Sequence, residues 1–71
     1  MTAESTDAEE PTEETRQLLA LMRTGATDRA IARELGVSER TVHRRIARLQ
    51  ALLGAHSRFQ LGVFVAARKW L

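Results

Sequence analysis

Arg40, Arg44 and Arg48 recur every four residues in the stretch SERTVHRRIARLQ (38–50), with His43 and Arg45 between them. On an α-helix a spacing of four stacks side chains on one face. The three guanidiniums then form one basic ridge, the chemistry that binds phosphate and reads guanine edges bidentately. Val42, Ile46, Leu49 and Leu53 step by four, three and four through the same segment, which marks a single apolar stripe. At about 100° per residue, Arg40, Arg44, Ala47, Arg48 and Ala51 fall opposite that stripe and His43 falls at its edge. The small Ala47 and Ala51 permit close approach to a groove wall. A solvated surface helix would interleave Glu with Arg at this spacing, yet no acidic residue follows Glu39 here. The face is expected to meet a polyanion, with Arg40, His43, Arg44, Ala47 and Arg48 towards the bases of a nucleic acid.

The elements that must position this ridge can be read from caps and stops. After Pro11, Thr12 can cap a helix whose first turn holds Glu13 and Glu14, suited to its positive end. Leu18, Leu19, Leu21 and Met22 follow at helical spacing, so a first helix is predicted over about 12–24, ended by Gly25. Thr27 or Asp28 caps a short second helix that buries Ile31, Ala32 and Leu35 and stops at Gly36. Ser38 caps the arginine-bearing helix, 39–53, which exits at Gly54. Ser57 with Gln60 matches a capping box, and a fourth helix is predicted from about 58 to the end. The fold class is all-α. The second and third helices are joined by only Gly36, Val37 and Ser38, which forces a steep crossing. Ala32 allows the close approach, and Gly36 can take the positive φ of the corner. That combination describes a helix-turn-helix, whose second helix lies in the DNA major groove.

Charge is divided along the chain. Residues 1–15 carry Glu4, Asp7, Glu9, Glu10, Glu13 and Glu14 and no base, whereas 16–71 carry eleven basic residues against Asp28, Glu34 and Glu39. A basic body behind an acidic arm points to a polyanionic partner for the body. Residues 1–11 lack large apolar residues after Met1 and are expected to form an acidic arm or linker ahead of a single domain, 12–71. The arm could instead fold over the basic helix as a competitor of DNA; the linker reading is the simpler. There are 71 residues, no cysteine and two histidines, which excludes disulfides and leaves too few donors for a zinc centre. No stretch reaches the ~20 apolar residues of a spanning helix, and no signal peptide is visible. No metal, cofactor or catalytic constellation is expected, so the chain is not read as an enzyme.

The segments LLALMRTG (18–25), IAREL (31–35), SERTVHRR (38–45), LLG (52–54) and SR (57–58) occur in one order. In that order they resemble the C-terminal helix-turn-helix domain of the LuxR family, also called the NarL/FixJ or GerE type. The resemblance spans Thr12 to about Leu71. It implies a four-helix domain of a cytoplasmic bacterial transcription regulator, binding double-stranded DNA without a cofactor as a homodimer through the last helix. An upstream regulatory domain is a further expected partner. Thr41 sits where the family's Thr commonly meets phosphate, and Thr27, Ser38, Arg45 and Arg58 are further candidates for the DNA backbone, Arg58 being expected either to contact phosphate or to pair with a carboxylate. Arg44 occupies a variable base-contacting position. His43 stands where Lys is usual, Arg45 replaces a common His, and Ala47 fills a position that often holds Lys.

The last helix argues separately for a dimer. Leu61, Phe64, Val65 and Leu71 are expected on the inner side, and Phe59, Val63, Ala66, Ala67 and Trp70 on an outer apolar face that a second subunit would cover. A competing reading is a protein-interaction module, in which the same scaffold docks an acidic protein partner.

Overall fold

The computed structural model describes residues 10–71; the arm expected over 1–11 lies almost wholly outside them. Four helices follow in order: α1 (Glu13–Arg23), α2 (Asp28–Leu35), α3 (Glu39–Leu53) and α4 (Arg58–Ala67), with no strand among the described residues. Each begins on a hydroxyl. Thr12, Thr27, Ser38 and Ser57 accept from the backbone N–H three residues on, at 3.0–3.1 Å. This satisfies donors that the first helical turn leaves unpaired. Gln60 returns the favour at α4, but its Oε1 accepts from His56 N, one residue before the cap.

The helix ends also repeat one device. At α2 the Gly36 N–H bonds Arg33 O and the Val37 N–H bonds Ala32 O, with Gly36 at φ +70°. This paired closure needs the left-handed conformation that glycine adopts without a Cβ penalty, and it turns the following apolar residue back onto the helix. Gly25 with Ala26 and Gly54 with Ala55 close α1 and α3 in the same way. At α4 the left-handed position is taken by Lys69, at φ +62°, and the Trp70 N–H bonds Val65 O at 2.9 Å.

The core collects Leu18 and Leu19 from α1, Ile31 and Ala32 from α2, Val42, Ile46 and Leu49 from α3, and Leu61 and Val65 from α4. Leu35 and Leu53, at the ends of their predicted stripes, are only half-buried. α3 lies between α2 and α4, and α1 packs on α2. The last turn corrects the sequence reading. α4 ends at Ala67 rather than at the chain end, and the closure at Lys69 swings Trp70 inward to 9% exposure, while Leu71 is left 47% exposed. Trp70 therefore belongs to the core and not to the outer apolar face. The Arg68 guanidinium lies 5.8 Å from the centre of its ring, within cation–π range.

Candidate nucleic-acid interface

The candidate surface is built by one inward and one outward face of α3. Val42, Ile46 and Leu49 are sealed against α2 and α4, which fixes the rotation of the helix. Arg40, His43, Arg44, Ala47, Arg48 and Ala51 are consequently all exposed, as one strip running the length of the helix. Arg40, Arg44 and Arg48 take part in no ion pair with the described residues. The strip thus presents uncompensated guanidiniums separated by small side chains, a shape and charge that match a phosphate-lined groove.

The side chains expected at the DNA backbone divide. Thr27 and Ser38 are exposed N-caps. The Ser38 hydroxyl donates to Thr41 Oγ1 while accepting from the Thr41 N–H, so Ser38 and the half-buried Thr41 are tied together at the first turn of α3. Arg45 leaves the strip. Its side chain is 28% exposed and reaches Glu14 of α1 at 3.5 Å, a loose surface pair of small energetic weight.

Arg58 is engaged by a carboxylate from the chain itself. Its Nη1 and Nη2 donate to the two oxygens of Asp28 at 3.0 and 2.9 Å, and His43 Nε2 lies 2.5 Å from Asp28 Oδ2. The hydrogen bond from Arg58 is the main reason the Asp28 carboxyl is held below its ordinary pKa. Partial burial opposes this and His43 adds to it. The same contact raises Arg58 above its ordinary value. Sequence reasoning saw Asp28 only as a candidate cap. A carboxylate partner for Arg58 is among the sequence expectations, but its identity is not, because Asp28 lies 30 residues from Arg58 and 15 from His43.

On α4, Phe59 is 82% and Val63 48% exposed, and Ala66 and Ala67 continue the same side. These residues step by four, three and one, which draws a continuous apolar stripe facing away from the core. A shallow groove between α1 and α4, lined by Leu19, Met22, Phe59, Gly62 and Leu71, adjoins it. No helix among the described residues is long and apolar enough to cross a membrane.

Comparison with known proteins agrees with this geometry. Residues 12–65 match the family described as bacterial regulatory proteins, luxR family. The bialaphos biosynthetic pathway regulatory protein of Streptomyces hygroscopicus is 49% identical over 49 residues, which cover 69% of this chain and 19% of that protein. The chain therefore spans about a fifth of that relative's length. No solved structure matches the chain significantly. With the family match covering well over half of the chain, and four helices that cross as a helix-turn-helix, the chain belongs to the LuxR family of bacterial regulatory proteins and carries its DNA-binding domain.

Proposed function

We propose that this domain binds double-stranded DNA sequence-specifically as a homodimer, with α3 in the major groove, and serves as the DNA-binding part of a larger cytoplasmic transcription regulator. The observation that carries the reading is the exposed strip of Arg40, Arg44 and Arg48 beside Ala47 and Ala51, without an ion pair among the described residues and held outward by the buried Val42, Ile46 and Leu49. Arg40, His43, Arg44, Ala47 and Arg48 face the bases in this reading. Thr27, Ser38 and Thr41, at the N-termini of α2 and α3, hold the DNA backbone, with Arg45 and Arg58 at the edges releasing Glu14 and sharing Asp28 respectively. Direct readout from such a strip discriminates bases by about 1–3 kcal/mol per good bidentate contact.

The dimer reading rests on Phe59, Val63, Ala66 and Ala67, an apolar stripe exposed on a domain whose core is already complete without it. A two-fold axis through α4 would bury two such stripes against each other and set two α3 helices for adjacent half-sites. The relative's name, a regulatory protein of a biosynthetic pathway, supports a regulatory rather than catalytic function for the protein that contains this domain.

The test is a shift assay on double-stranded DNA with the Arg44→Ala/Arg48→Ala variant. Retardation by the unsubstituted chain and its loss in the variant, at unchanged helicity, is the expected result. No retardation of any DNA at low salt would replace this reading with that of a module docking an acidic protein.

A further inference from the structure

Asp28, His43 and Arg58 come from three different helices and meet at one end of the exposed strip. Asp28 is the first residue of α2, His43 lies in the second turn of α3, and Arg58 opens α4. The carboxylate is 16% exposed, whereas His43 is 61% and Arg58 49% exposed. The acid is therefore tucked between two basic side chains whose outer surfaces remain open to solvent. Both carboxylate oxygens are engaged, Oδ1 by Arg58 and Oδ2 by Arg58 and His43 together.

We propose that Asp28 is a positioning residue for DNA recognition: clamped between His43 and Arg58, it fixes the orientation in which these two side chains meet DNA. The inference rests on the reading that α3 enters the groove. Three physical points support it. An acid at the edge of a DNA-binding face repels phosphate unless compensated, and here the Arg58 guanidinium compensates it with two hydrogen bonds. An exposed Arg or His ordinarily samples many rotamers and loses that freedom on binding, and a side chain already held in one geometry loses less. Finally, with Nε2 held at the carboxylate, the other ring nitrogen, Nδ1, is the one left to meet DNA, so Asp28 also selects which ring atom is presented. Ion pairs this exposed contribute little to stability, which leaves orientation as the distinctive consequence of the cluster.

The experiment is a double-mutant cycle read as the ratio of affinity for the preferred site to affinity for random DNA. It uses Asp28→Asn, His43→Ala/Arg58→Ala and the combined variant, all at a temperature where thermal melts show each folded. Asp28→Asn keeps the shape and adds one unit of positive charge, so affinity for random DNA should hold or rise. Affinity for the preferred site should fall, lowering the ratio about three- to tenfold. In the His43→Ala/Arg58→Ala background the same substitution should leave the ratio unchanged. A merely structural Asp28 would lower both affinities together. An unchanged ratio in Asp28→Asn, or an equal fall in both backgrounds, would overturn the assignment while leaving DNA binding intact. A ratio of one in the unsubstituted chain would overturn the sequence-specific reading and this assignment with it.

Discussion

Truncating Trp70 to Ala, at the penultimate position of the chain, should destabilise the domain far more than a terminal substitution ordinarily does. Trp70 is 9% exposed and its N–H closes α4 onto Val65 O. A buried aromatic removes about 150–250 Å² from water, which at about 25 cal/mol per Å² is a gross ~4–6 kcal/mol. A compact denatured chain lowers that figure by up to about 40%. Fraying confined to Leu71, already half exposed, would recover about 1–2 kcal/mol of backbone entropy. The net loss is about 2 kcal/mol, against a total of about 3–9 kcal/mol for a domain of this size. For such a domain this is a fall in Tm of roughly 8–16 °C. Thermal and urea melts followed by circular dichroism measure it. The emission of this single tryptophan reports its burial independently and should shift to the red on unfolding. A Tm within about 4 °C of the unsubstituted chain, equivalent to less than ~1 kcal/mol, would refute the core placement. So would a loss confined to high protein concentration, since that signature belongs to a residue in a subunit interface.

Further outcomes follow from the same geometry. Lys69 holds a left-handed backbone at φ +62°, so Lys69→Gly should raise stability by about 0.5–1 kcal/mol by removing Cβ strain, visible as a higher urea midpoint. Gly62 sits inside α4 with open space where a Cβ would stand. Gly62→Ala should therefore stabilise the isolated domain by about 1 kcal/mol, and a weakened dimer in sedimentation would then show that a partner helix approaches there. Because the Asp28 pKa is lowered on folding, by Arg58 first, its contribution is complete above the unfolded value of 3.8 and is lost as pH falls through the folded value. Acid titration of stability should show this loss, and Asp28→Asn should flatten that part of the profile.

Much of the fold was legible because its boundaries are written in local chemistry. Thr12, Thr27, Ser38 and Ser57 each cap the helix assigned to them, and Gly25, Gly36 and Gly54 each close one. The period of Val42, Ile46 and Leu49 fixed the inward face of α3, and with it the exposed strip. The end of α4 was not legible, because the residue that closes it is Lys69, a residue type that carries no signal for a left-handed turn. Without that stop, a wheel continued to the chain end exchanges the places of Trp70 and Leu71. The Asp28 cluster was hidden for another reason. It depends on how α2, α3 and α4 cross, and sequence periodicity specifies faces within a helix but not which termini converge.

Whether the strip on α3 reads DNA sequence from two subunits at once is decided by selection of bound sites from random double-stranded oligonucleotides. The expected result is enrichment of a motif with two half-sites related by two-fold symmetry and centred about one helical turn apart. Recovery of sequences no different from the starting pool would contradict it.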